Sequence, residues 1–272
     1  MPTLSIITPV YCGGHHYLAE LYESLCAQEM PAEWTWQWVL QEDGTTGVPF
    51  AALPEADARI STGVGRSGRA AMARTVALAR AGGVLTRAVD ADDVLAAGSL
   101  RRDIETLTVH PQLGWCVSGC LDLHPDGTLT PGPFDPPEGP LPTGTLAEGY
   151  RSGKLQVMGT TLCAYTELVH AVGGWQAVPS SEDVALLLAC EAVADGWMIA
   201  EVSEHYRRRE VQTITDPEYN NPAERRGRYG AVISRVEALR RARWRWSPPP
   251  GALDNKGTTH EAPAPGRGAA VP

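Results

Sequence analysis

The stretch Val84-Leu85-Thr86-Arg87-Ala88-Val89, running straight into Asp90-Ala91-Asp92-Asp93, decides how this chain is read. Gly82-Gly83 stops whatever precedes it, and the β-branched and apolar residues that follow read as a buried strand. Along extended backbone, residues two apart point to the same side. Asp90 and Asp92 therefore converge at the strand's carboxyl end, with only the small Ala91 between them. Two such carboxylates repel, and a divalent cation removes the repulsion. Mg²⁺ or Mn²⁺ suits them, because these ions take oxygen ligands and share their shell with substrate phosphates. A second reading stays open on the tetrapeptide alone, in which Asp93 caps the next helix and the other two are solvated.

Outward from this point the chain alternates strand and helix patterns. Upstream, Leu4 to Thr8 is a short β-rich run stopped by Pro9. Leu18, Leu21, Tyr22 and Leu25 share one helical face, and Trp36 to Gln41 reads as a second strand ending at Asp43-Gly44. An Ala-rich helix is predicted from Gly68 to Ala81. Downstream, Leu100, Ile104 and Leu107 mark another helix. Such repeats predict an α/β fold with a doubly wound sheet and ligands beyond the strands' carboxyl ends.

The second half changes character. His124 to Gly149 is crowded with Pro and Gly and reads as a long loop, a candidate to fold over a second substrate. Thr160 to Tyr165 reads as a strand, Glu182 to Asp195 as a helix, Trp197 to Val202 as a strand, and Asn221 to Arg241 as a basic helix. The expected organisation is a catalytic domain over 1–215, split into a nucleotide-binding half (about 1–122) and an acceptor half (about 123–215). A helical extension over 216–246 and a disordered tail over 247–272 follow.

Composition narrows the classes. A length of 272 residues with 43% hydrophobic content supplies one substantial core. A net charge of −9 argues against a dedicated nucleic-acid binder, which needs a basic surface. Arg207-Arg208-Arg209 and Arg225-Arg226 are local exceptions. The six cysteines form no C-x-x-C pair and no zinc spacing, and they read as reduced, small hydrophobes. The N-terminus lacks a signal-peptide pattern and no run reaches bilayer length, so a cytoplasmic location is expected.

Two further motifs bear on chemistry. Glu182-Asp183 precedes the apolar run Val184 to Leu188, and adjacent helical residues diverge by about 100°. One of the pair can therefore face a cleft and take a proton from an attacking hydroxyl. The alternative is that both merely complement the helix dipole. Gly63-Val64-Gly65-Arg66-Ser67-Gly68 matches a dinucleotide fingerprint in letters. The preceding Asp57 to Thr62 is a poor strand, however, so these glycines are read as a loop.

In order along the chain, these pieces resemble the family 2 glycosyltransferases of the GT-A fold. The likeness runs from Leu4 to about Thr213. It rests on Ser5 to Tyr11, Asp43-Gly44, Ala73-Arg74, Val89 to Asp93, and Gly173-Gly174-Trp175 followed by Glu182-Asp183. The resemblance implies a single domain with a Rossmann-like mixed sheet and a stand-alone bacterial enzyme. The reaction implied is inverting transfer of a sugar from a nucleoside-diphosphate sugar, UDP first, to an acceptor hydroxyl. It implies that Pro9, Val10, Tyr11, Asp43, Arg74, Asp90, Ala91 and Asp92 hold the donor. Asp92 with Asp90 would bind Mn²⁺ or Mg²⁺, Asp183 would be the general base, and Glu182 would support it. Gly174, Trp175 and Arg209 are expected near donor or acceptor sugar.

The sequence departs from the family pattern at three points. Thr75 stands where Asn usually follows the Arg, and Gln41-Glu42 replaces a hydrophobic-Asp pair. In Tyr206 to Glu210 an Arg, Arg209, occupies the place of a usual His, and His205 comes earlier. Two rivals are a sugar nucleotidyltransferase and a non-enzymatic nucleotide-sugar binder. The first is disfavoured because Tyr11 to His16 lacks a basic Gly-rich loop, the second because repelling carboxylates persist. The Ala/Arg/Gly/Pro-rich composition suggests a high-GC bacterium, and together with the resemblance this implies a small natural-product acceptor. Cell-surface and lipid-linked glycans are the alternatives.

Overall fold

The computed structural model describes residues 1–54, 56–132, 136–209, 217 and 220–253. The first half runs β1 (Thr3–Val10), α1 (Leu18–Cys26), β2 (Thr35–Glu42), β3 (Ile60–Gly63), α2 (Arg69–Leu78), β4 (Leu85–Ala88), β5 (Val94–Leu95) and α3 (Ser99–Val109). The second runs β6 (Trp115–Leu123), β7 (Leu129–Pro131), β8 (Gly139–Leu141), α4 (Thr145–Arg151), β9 (Cys163–Tyr165), α5 (Thr166–Ala171), α6 (Glu182–Val193), β10 (Gly196–Arg207) and α7 (Pro222–Arg241).

One mixed sheet carries the molecule, in the order β3-β2-β1-β4-β9-β6-β10-β5, with β7 beside β6 and β8 beside β10. β1, β2, β3 and β4 pair in parallel, as the strand–helix alternation predicts. The direction then reverses, because β9 is antiparallel to both β4 and β6. The strand order changes sense between β1 and β4, and such a switch point opens a crevice at the carboxyl ends. Asp90 begins two residues beyond β4, at that crevice.

The core lies on both faces of the sheet. Trp38 and Trp115 are fully buried, and each indole N–H finds an acceptor: Thr8 Oγ1 at 2.9 Å and the Ala194 carbonyl at 3.1 Å. Gly196 lies so close under Trp115 that a Cβ there would sit 2.3 Å from ring carbons.

Several expectations change. The segment His124 to Gly149 is not one long loop: it contains β7, β8 and the start of α4, and its residues 133–135 lie outside the described set. Glu191 on α6 organises part of it, accepting from the N–H groups of Gly144 (2.7 Å) and Leu146 (2.8 Å) at the head of α4. Thr160 and Thr161 belong to a short 3-10 turn, and only Cys163–Tyr165 is strand. α7 starts at Pro222 with Asn221 Oδ1 accepting from Ala223 N at 2.9 Å. Its residues Arg228, Val232 and Val236 form one buried stripe, and α7 packs on α6.

The tail expected to be disordered from Ser247 needs correction at its start, since Ala252 and Leu253 pack against the core. Residues 254–272 of that tail lie outside the described residues, as do 210–216, where the acceptor half and the extension were expected to meet. Among the described residues, no helix is long and apolar enough to cross a membrane.

Candidate active site

A cleft of about 560 Å³ opens beyond the carboxyl ends of β1 and β4. Its walls come from the ends of β1 and β4, the N-terminus of α2, the N-terminus of α6 and the end of β10. Of the residues singled out in the sequence, Pro9, Val10, Tyr11, Asp43, Arg74, Asp90, Ala91, Asp92, Glu182, Asp183 and Arg209 all line it.

At the β1 end the Asp43 N–H donates to the Val10 carbonyl at 2.7 Å, locking the β2 terminus against β1. The Asp43 carboxylate accepts from Gly68 N (2.6 Å), Arg69 N (3.1 Å) and Ser67 Oγ (3.1 Å). It thereby caps α2, whose own N-cap residue is a glycine with no side chain. The Tyr11 ring is 54% exposed and lies over the Gly13-Gly14 backbone, where a Cβ would come within 2.7 and 2.5 Å of ring carbons. A flat, exposed aromatic face is thus fixed at the cleft mouth. Glu42 and Gln41 do not line the cleft. Glu42 is buried, and although burial opposes its ionisation, donors from Thr46 and Gly47 hold its carboxyl below the usual range.

The Asp cluster divides into separate tasks. Asp90 is paired with Arg74, whose other terminal nitrogen reaches Glu182. Asp92 Oδ2 lies 2.8 Å from Arg209 Nη2. Burial and the neighbouring Asp90 charge push the Asp92 carboxyl up, with Arg209 and Arg207 opposing. Asp93 is buried, accepts from Arg207 N at 2.8 Å, and has no partner for Oδ2 among the described residues. The helix-cap reading of Asp93 therefore fails: α3 starts at Ser99 behind Gly98, and Asp93 instead ties the β4 turn to β10.

Across the cleft, Glu182 and Asp183 open α6. Arg74 is 2% exposed and sits between the two walls. Burial disfavours its charge, yet Asp90, Glu182 and Asp183 around it raise its pKa overall. Glu182 is committed to Arg74. Asp183 lines the cleft, and burial and the Glu182 charge push its carboxyl up to about 6 despite Arg74 nearby. Gly159 permits this arrangement, because a Cβ there would lie 2.7 Å from Asp183 Oδ2.

Gly174 and Trp175 are not brought to the cleft. Trp175 is 4% exposed in the core, and its carbonyl accepts from Thr75 Oγ1 at 3.1 Å. Thr75 therefore braces that loop from α2. His205 does not line the cleft either: it pairs with Val94 within the sheet, and burial lowers its pKa. No described residue of the 124–149 segment lines the cleft.

Sequence reasoning missed Arg69, Ser180 and Tyr206, which complete the walls. Arg69 and Ser181 both hold left-handed backbone (φ 65° and 63°), a conformation non-glycine residues seldom adopt outside strained sites. No residue pattern announces that. Among the described residues no group of three or more His, Cys, Asp or Glu is poised for a metal. The donor set still fits Mg²⁺ or Mn²⁺ shared with phosphates, which need only one or two carboxylates. Arg74 takes one oxygen of Asp90 and Arg209 one of Asp92, leaving an oxygen on each.

No protein-family model matches the chain, and no curated protein matches it in sequence. Solved structures do match in shape. S. aureus TarS 1–349 in complex with UDP-GlcNAc gives a TM-score of 0.65 at 17% identity, covering 88% of this chain and 66% of that one. The same fragment with UDP gives 0.62 at 16% identity, covering 88% and 65%. Another TarS 1–349 structure gives 0.60 at 17% identity over 76% of this chain, which spans 60% of the fragment's length. The fold is GT-A. The expected mixed α/β single domain is thereby established, and the cleft of this GT-A fold carries acidic residues on two facing walls.

Proposed function

We propose that this chain is a glycosyltransferase that moves a sugar from a nucleoside-diphosphate sugar, UDP first, onto an acceptor hydroxyl with inversion. The observation that carries the reading is Asp183, a carboxylate raised to about 6, facing Asp90 and Asp92 across one cleft. The TarS complexes with UDP-GlcNAc and UDP support the choice of donor, as fold-level likeness.

Each wall has a task in such a transfer. The exposed Tyr11 face offers a surface for the base, and Asp43 keeps the α2 terminus in position beside it. Asp90 and Asp92 would hold Mg²⁺ or Mn²⁺, which when bound neutralises the charge of the departing diphosphate. Asp183 accepts the proton from the acceptor hydroxyl as that oxygen bonds to the anomeric carbon. The anomeric C–O bond to the diphosphate breaks, and its electron pair leaves with the nucleoside diphosphate. Glu182 acts indirectly, its charge raising Asp183 while Arg74 holds it. A carboxyl near 6 suits a base at neutral pH better than an ordinary aspartate.

The acceptor we infer is a small natural-product scaffold, a reading that rests on composition together with the family resemblance. Transfer confined to lipid-linked or polymeric glycans would overturn it. The reaction itself is tested by incubating the protein with UDP-sugars, Mn²⁺ and an acceptor panel, and measuring UDP release and glycoside formation. Product with inverted anomeric configuration, lost in Asp183→Asn, is expected. Pyrophosphate release from UTP and a sugar phosphate would point to a nucleotidyltransferase instead.

A further inference from the structure

Three consecutive arginines stand at the end of β10, and each pairs with a different acid: Arg207 with Glu20, Arg208 with Asp122 and Arg209 with Asp92. Arg209 and Arg207 both reach Asp92, but at different atoms. Arg209 meets the carboxylate, whereas Arg207 Nε donates to the Asp92 carbonyl at 2.6 Å. The Arg207 N–H also donates to Asp93 Oδ1 at 2.8 Å, so one residue grips the β4 turn at two points. The Arg207 guanidinium is itself held from α1. Its Nη2 lies 2.5 Å from Glu20 Oε2, and it sits over the Tyr17 ring, 4.3 Å from the ring centre. The Arg207 side chain is 14% exposed and does not line the cleft.

Within the turn, the Asp93 N–H reaches the Asp90 carbonyl only at 3.2 Å, so the turn gains its firm hold from outside. A bond to the Asp92 carbonyl fixes the peptide that follows Asp92, and with it the direction in which the Asp92 side chain leaves the backbone. We propose that Arg207 is a positioning residue that aims the Asp92 carboxylate at the metal-bound diphosphate, with Glu20 and Tyr17 orienting Arg207 in turn. This rests on the glycosyltransferase reading above and on Asp92 as a ligand of Mg²⁺ or Mn²⁺. Charge and geometry pull in opposite directions here, which makes the proposal decidable. A cation this close to Asp92 repels a metal, so an arginine acting through charge alone would weaken metal binding. One that orients the ligand strengthens it, and loss of such outer partners typically weakens metal binding about ten- to a hundredfold.

The test titrates Mn²⁺ into the protein with UDP present, for wild type, Arg207→Met, Arg207→Lys and Glu20→Ala, and reads bound Mn²⁺ by electron paramagnetic resonance. Arg207→Met should bind Mn²⁺ about ten- to a hundredfold more weakly. Arg207→Lys keeps the charge but cannot serve the Asp92 carbonyl and Glu20 together, so it should fall between. Glu20→Ala should lose at most about fivefold, the worth of an exposed pair. Saturating Mn²⁺ should restore kcat for sugar transfer in Arg207→Met, which a general folding defect would not allow. Unchanged or tighter Mn²⁺ in Arg207→Met, or a kcat loss that Mn²⁺ leaves in place, would overturn the proposal while leaving the glycosyltransferase reading intact. If wild type binds no UDP, that reading fails. If UDP binds indifferently to Mn²⁺, the metal assignment of Asp92 fails, and either result takes this inference with it.

Discussion

Arg209 Nη2 lies 2.8 Å from Asp92 Oδ2 at the mouth of the cleft, so an arginine holds the carboxylate expected to bind a metal. Burial opposes the Arg209 charge, and Asp92 and the nearby Tyr11 raise its pKa overall. A guanidinium here is equally suited to the oxygens of a diphosphate. Arg209→Ala should therefore weaken UDP by about tenfold, the worth of a charge-assisted bond, and tighten Mn²⁺ binding to the nucleotide-free protein. Calorimetry with each ligand checks both halves; no change in either would remove Arg209 from the site.

Asp183 sets the pH dependence. Its carboxyl is raised to about 6 by burial and by Glu182, so the base is protonated, and idle, below that pH. Log kcat/KM should fall with unit slope below about pH 6 and level off above it. The stability sign is opposite. A raised acid favours folding while neutral, and that contribution is lost as pH rises through the folded value. Asp183→Asn should thus abolish transfer while raising the melting temperature at pH 7.5 by about 2–4 °C. A variant that stays active would dismiss Asp183 as base.

Arg74 joins the two acidic walls. It is buried, with Asp90 on one terminal nitrogen and Glu182 on the other. Arg74→Met leaves both carboxylates without their cation and should cost about 3 kcal/mol in urea unfolding, with transfer lost as well. A destabilisation under about 0.5 kcal/mol, the level of an exposed pair, would mean that the bridge contributes little.

Gly159 sets how closely the base can approach. A Cβ there would meet Asp183 Oδ2 at 2.7 Å and the Val184 nitrogen at 2.9 Å, so backbone as well as side chain would have to move. Gly159→Ala should lower kcat by about a hundredfold, the cost of a misplacement near 1 Å, with UDP affinity little changed. Single-turnover kinetics together with UDP titration separate the two.

Trp175 belongs to the core, and its substitution should show as instability rather than lost sugar affinity. Trp175→Phe is expected to lower stability by about 1–2 kcal/mol and leave donor KM unchanged. A raised donor KM at unchanged melting temperature would return it to the sugar site.

What the sequence disclosed follows from how local each signal is. The β4 strand with its Asp cluster, the α2 helix and the α6 acidic pair are written in consecutive residues, and each stands within a residue or a few of its expected place. The turn of Asp93 away from the helix and toward Arg207 was not legible, because its partner lies 114 residues on. Nor was α4, whose N-terminal N–H groups are satisfied by Glu191, more than forty residues later. β9 is three residues long, and only the sheet around it reveals that it runs against both neighbours. Trp175 misled because an aromatic beside two glycines reads the same whether it faces a sugar or the core. Ser180 lines the cleft without any pattern that announces it.

The most direct test of the central assignment is a calorimetric titration of UDP, GDP and dTDP, with and without Mn²⁺, into the wild type and Asp92→Ala. UDP binding that requires Mn²⁺ and falls at least about tenfold in the variant is the expected result. If no nucleotide binds, or if binding is indifferent to both Mn²⁺ and Asp92, the cleft is not a nucleotide-sugar site built on the Asp cluster.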